Sequence, residues 1–122
     1  IGKGQVLSAM NKHQEAFTAF DKATLLSPKR FDVWGMKASE LAEMALFNEA
    51  IASLNKAIEI EPNYPVSYYN RACIYNLKGD KANALADLKK ATSMNPNLKK
   101  SAINDEDFKT LYEDEEFQKL VK

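Results

Sequence analysis

Proline returns at one fixed interval in this chain: Pro28, Pro62 and Pro96 stand 34 residues apart. The same step relates Ala16, Ala50 and Ala84; Phe20, Leu54 and Leu88; Ala23, Ala57 and Ala91; and Gly4, Ala38 and Ala72. Several sets in register at one period describe a supersecondary unit copied along the chain, which buries its apolar face by stacking on its neighbours. In the middle copy, Phe47, Ala50, Ile51, Leu54, Ala57 and Ile58 follow the i, i+3, i+4, i+7 rule of one apolar helix stripe. The stripe recurs less purely at His13, Ala16, Phe17, Phe20, Ala23 and Thr24, and again at Lys81, Ala84, Leu85, Leu88, Ala91 and Thr92. Gly4, Ala38 and Ala72 fall on the helix preceding each stripe, where a bulky side chain would hold two packed helices apart.

Each copy therefore reads as two helices. The first copy predicts helices over about 1–10 and 13–26, with a turn at Asn11 and Lys12 and a stop at Ser27 and Pro28, since proline lacks the backbone donor and disfavours helix in its predecessor. The second predicts about 32–44 and 47–60, broken by Glu61 to Tyr64. The third opens on Pro65, which suits a first helical turn, runs to Lys78, turns at Gly79 and Asp80, and returns over Lys81–Met94. Asn11 and Ala45 stand where the third copy has Gly79. Asparagine tolerates a left-handed backbone and alanine does so poorly, so the middle turn is the least well specified. After Pro96 the period fails, because Glu106 and Gln118 occupy slots that need small residues. Phe108, Leu111 and Tyr112, then Phe117, Leu120 and Val121, predict two short amphipathic turns with Asp105 and Asp114 as helix-start caps.

The residues Trp34, Lys37, Ala38, Leu41, Ala50, Leu54 and Pro62 fall on a W-x2-L-G-x2-Y, A-x3-F, P pattern, with Lys37 in place of the usual leucine. Tyr68, Arg71, Ala72, Tyr75, Ala84, Leu88 and Pro96 repeat it, as do Lys3, Gly4, Leu7, Ala16, Phe20 and Pro28 in a copy lacking its opening large residue. This pattern resembles the tetratricopeptide repeat. The resemblance implies an all-α fold, an α-solenoid whose antiparallel helix pairs wind as a right-handed superhelix. It divides one domain of 1–122 into a truncated repeat 1–30, repeats 31–64 and 65–98, and a C-terminal cap 99–122. The segment DEDFKTLYEDEEFQKL is similar to the D-x-x-F-x-x-L ending of such arrays, and a solenoid needs an end element with one apolar and one charged face. The headless first copy and this tail lead to the expectation that the native chain continues before Ile1 and closes its array near Lys122.

The resemblance also implies a protein–protein interaction module that takes a peptide or partner protein on its concave side, lined by the first helix of each pair. The inward slots chosen as peptide-binding are Gln5, Met36, Ser39, Glu43, Val66, Tyr69, Asn70, Cys73 and Asn76. Tyr68 would be the buried large residue, leaving Tyr69, about 100° further round the helix, as the groove's principal anchor beside Asn70. Family members that grip the C-terminal carboxylate of heat-shock chaperones use a clamp of lysine, asparagine and arginine. The matching positions here are Ile1, Gln5, Met36, Val66 and Asn70, without a cation, so EEVD tails are not expected as ligands. The other reading of the same features is a non-catalytic scaffold or accessory domain of a larger enzyme, transport or secretion protein.

Composition narrows the partners. Seventeen basic and seventeen acidic residues balance to zero, removing the long-range attraction expected of a nucleic-acid binder or an acidic-membrane binder. The seven carboxylates between Asp105 and Glu116 read as a solvated cap face with helix-start acids, in preference to an acidic ligand. No apolar run approaches a membrane span. The single cysteine excludes an internal disulfide and fits a reducing compartment, so the expected location is cytoplasmic. Neither catalysis, metal nor cofactor is expected. His13 has no second histidine, Cys73 has no evident activating base, and Gly2 and Gly4 follow no strand and lack the rest of a phosphate loop. Glu59 and Glu61 lie at helix ends without an enclosing apolar pocket.

Overall fold

The computed structural model of the chain describes residues 14–16, 18–26 and 29–122. The expected first helix, its turn, and positions Gln5, His13, Phe17 and Pro28 lie outside the described residues. The chain forms two compact units, Ile1–Pro62 and Asn63–Lys122. Every regular element among the described residues is helical.

In the first unit, residues 14–16 and 18–26 are helical. They are followed by α1 (Phe31–Glu43) and α2 (Phe47–Ile60), within one residue of the sequence expectation. The packing of α1 on α2 follows from the small residues: Ala38, Ala50 and Ala57 are essentially inaccessible, and Val33, Leu41, Ile51 and Leu54 fill the space between the axes. The α1–α2 turn is a Schellman motif. Ala45 N–H donates to the Ala42 carbonyl at 2.9 Å and Leu46 N–H to the Leu41 carbonyl at 2.9 Å, satisfying carbonyls the helix end would otherwise orphan. The motif needs a left-handed residue, and Ala45 supplies it at φ 59°. Leu41 and Leu46 occupy the pair of positions whose apolar contact commonly accompanies the motif.

In the second unit, α3 (Pro65–Lys78) opens with proline in its first turn, and α4 (Lys81–Met94) is capped by Asp80, whose side chain accepts from Asn83 N–H at 3.2 Å. The same Schellman bonds recur at Gly79, which has φ 96°. Beyond Pro96 come α5 (Leu98–Ile103), a 3-10 turn (Glu106–Leu111) and α6 (Glu115–Val121). Asp105 accepts from Asp107 N–H and Asp114 from Phe117 N–H, which are the caps expected from sequence. The expected apolar faces are also inward: Phe108, Leu111, Phe117 and Val121 are buried, with Tyr112 and Leu120 packed on them. The sequence pattern missed α5. Its signal is short, a Leu98–Ala102 pair four residues apart, and Ala102 is fully buried in the common core of α3, α4 and the tail.

Candidate functional site

The first unit presents one side of α1. Val33, Ala38 and Leu41 face the core, and Met36, Ser39 and Glu43 lie on the opposite arc of the helix, all exposed. Met36 keeps 49% of its surface accessible in mid-helix. A Cβ added at Gly35 would meet nothing within 4 Å, so this arc is open among the described residues. Ser39 Oγ donates to the Gly35 carbonyl at 3.3 Å.

The equivalent arc of α3 is covered. Tyr69, one period beyond Gly35, is only 8% exposed; its ring meets Phe108 edge to face with centroids 5.6 Å apart, and its hydroxyl donates to Asp105 Oδ2 at 2.7 Å. Cys73 is 6% exposed, with Sγ 3.9 Å from the same oxygen. Asn76 Nδ2 donates to the Asp107 carbonyl at 2.7 Å and to Thr110 Oγ1 at 3.0 Å. The expectation that Tyr69 anchors an open groove, with Cys73 and Asn76 as further contact residues, is therefore corrected. These side chains are inward, as the helix geometry implies, but the chain's own 3-10 turn already occupies their apolar and hydrogen-bonding surface. Tyr68, expected to be buried, is half-buried instead. Val66 and Asn70, near the start of α3, are half-buried.

The covered arc brings together groups that sequence spacing could not relate. Donor atoms of Cys73, Asp105 and Asp107 lie within 4.8 Å of one another. Asp105 accounts for the cluster through its own bonds: one carboxylate oxygen accepts from Tyr69 and Cys73, the other from Asp107 N–H at 3.0 Å. Burial, then the adjacent carboxylates, push the Cys73 thiol well above its ordinary range. Burial and the hydrogen bond to Asp105 do the same to the Tyr69 hydroxyl. Both groups therefore stay protonated and act as donors, and the thiol is held in its unreactive form.

The two cations that depart from the repeat pattern have defined work. Lys37 Nζ bonds Asp21 Oδ1 at 2.8 Å and lies 4.9 Å from the Trp34 ring centroid, with its side chain 13% exposed. One period later, Arg71 makes a two-pronged bond to Asp87, both contacts 2.7 Å, and sits 5.7 Å from the Tyr68 ring centroid. The bond to Asp87 raises the Arg71 pKa further. A cation three residues after an aromatic covers the ring and reaches a carboxylate on another helix, doing by charge what leucine does by contact.

Comparison with known proteins agrees with this architecture. Two family models, both described as tetratricopeptide repeat, match residues 1–30 and 31–64 and residues 53–86. The Hsp70-Hsp90 organizing protein of Triticum aestivum is 24% identical over 77% of this chain and 16% of its own length. Human protein O-mannosyl-transferase TMTC3 is 31% identical over 66% of this chain and 9% of its own. Mouse tetratricopeptide repeat protein 36 is 32% identical over 62% of this chain and 39% of its own, so the chain spans well under half of each of these relatives. The crystal structure of MamA superposes with a TM-score of 0.75 at 18% identity, over 97% of this chain and 67% of that chain, a likeness of fold. The repeated helix pairs and the family matches together establish that the chain belongs to the tetratricopeptide repeat family, a helical-repeat fold that serves as a protein-interaction module.

Proposed function

We propose that this module holds its protein partner on the open arc of α1, centred on Met36, Ser39 and Glu43. The observation that carries this reading is the contrast between two helices at the same place in the repeat. Among the described residues, a Cβ added at Gly35 would meet nothing within 4 Å beside an exposed methionine, whereas at Tyr69 the arc is filled by the chain's own tail. Methionine adapts its shape to an apolar side chain, and Ser39 adds a hydroxyl next to it. The glycine lets a partner's backbone come close. With Glu43 as its acid, the arc favours a neutral to basic segment and offers nothing to a free carboxylate. The name of the organizing protein associates that relative with Hsp70 and Hsp90. In this chain the clamp positions Met36, Val66 and Asn70 carry no charge, so the partner is not gripped by a terminal carboxylate. The proposed location of this recognition remains the cytoplasm, from the lone thiol.

The test is to capture partners on the immobilised chain, then measure one by calorimetry against Met36→Glu, Ser39→Arg and a change on the outer side of α2, Glu59→Lys. Loss of about tenfold or more from the first two alone fits the proposal, as expected for a truncated or blocked anchor. Affinity that is unchanged by both but lost with Glu59→Lys overturns it.

A further inference from the structure

The second unit contains a groove that neither the repeat pattern nor the α1 arc explains. It lies between α4 and the tail helices, has a volume of about 600 Å³, and is floored by Ala82, Leu85, Ala86 and Leu120. That volume falls within the roughly 300–1,000 Å³ of ordinary ligand clefts. The depth comes from sequence: Ala82 and Ala86 are short side chains on the α4 arc that faces α6, where larger ones would close the gap. An ion pair links Lys81 at the start of α4 to Asp114, which also caps α6. Thr92, at the edge, is buried with its hydroxyl spent on the Leu88 and Lys89 carbonyls, so the floor asks only for apolar groups.

The rim is cationic. Lys89 comes from α4, Lys99 from α5 and Lys119 from α6, with Glu116 the one acid of the lining. Among the described residues neither Lys89 nor Lys119 pairs with a carboxylate, and Lys99 Nζ donates to the backbone oxygen of Lys122 at 3.4 Å. Three cations on three elements around an apolar floor fit a ligand with several negative groups spaced along an apolar stripe. A single-headed amphiphile would meet one lysine and leave the others unanswered. This chain's own acidic run has the right composition, but its Phe108, Leu111 and Phe117 are locked in the core, so a second copy cannot lend it. We propose that the groove between α4 and α6 is a docking site for an acidic amphipathic segment of a partner protein, distinct from the α1 arc.

The probe is a fluorescein-labelled helical peptide with leucines three and four residues apart and glutamates between them, beside a counterpart carrying lysines for glutamates. Anisotropy titrations with the full chain should give saturable binding of the acidic peptide alone, weakening as salt is raised. Lys89→Glu with Lys119→Glu should weaken it about tenfold or more, since reversed rim charges act directly on an acidic ligand. Ala86→Trp, at an exposed position, should block it by filling the floor without altering charge. Met36→Glu should leave it unchanged, which separates this site from the one on α1. Equal binding of both peptides, indifference to the lysine reversals or to Ala86→Trp, loss with Met36→Glu, or saturation by decanoate without binding of the acidic peptide would each overturn the proposal.

Discussion

Burial, reinforced by the shared carboxylate of Asp105, holds Tyr69 and Cys73 protonated, and that effect is measurable. Tyr69→Phe keeps the ring on Phe108 but removes a donor to Asp105, and should cost about 1–2 kcal/mol in denaturant unfolding. The pH dependence has a defined sign. Both groups have pKa values raised by folding, so their contribution is complete below the unfolded values, about 8.5 for cysteine and about 10 for tyrosine. It is lost as pH rises above those values toward the folded ones. Stability should therefore fall from about pH 8.5 upward, and Cys73→Ser, which keeps a donor but does not titrate, should remove the earliest part of that fall. An unchanged slope between the parent and Cys73→Ser would contradict the buried, protonated thiol.

At the scale of helices and turns, two glycine–alanine exchanges in opposite directions should both stabilise the chain. Ala45 occupies the left-handed position of its Schellman turn, the position Gly79 holds one period later. Ala45→Gly relieves a strain of about 1–2 kcal/mol, less the entropy glycine costs, for a net gain of roughly 0.5–1 kcal/mol. Gly35 lies inside α1, where a Cβ meets nothing within 4 Å, so Gly35→Ala should gain about 0.5–1 kcal/mol through helix propensity. Thermal melts of both variants check the pair; a lower melting temperature for Gly35→Ala would mean the arc is not open. The tail is read most sharply at Phe108, fully buried against Tyr69 and Phe117. Phe108→Ala should cost about 3–5 kcal/mol and expose Cys73 to thiol reagents, because a tail that only decorated the surface could be cut back without effect.

For the molecule as a whole, the outcome expected with chaperone tails follows from charge. A peptide ending in EEVD should give no saturable calorimetric signal at concentrations on the order of tens of micromolar, since the uncharged clamp slots supply no charge-assisted grip. A clear titration would contradict that. The period of 34 residues, the boundaries of α1 to α4, the caps at Asp105 and Asp114 and the apolar residues of the tail were all legible in the sequence. They depend on local spacing, turn chemistry and helix periodicity, which one stretch of chain carries by itself. Helix geometry likewise put Tyr69, Cys73 and Asn76 on the inner arc of α3. Only the tertiary structure decided that residues 105–110 cover that arc, because Tyr69 and Asp105 meet across 36 residues of chain and no local pattern encodes such a pairing. The same holds for the groove beside α4: its alanines read as ordinary helix formers until α6 stands opposite them, and its lysines as scattered surface charge until three elements bring them to one rim.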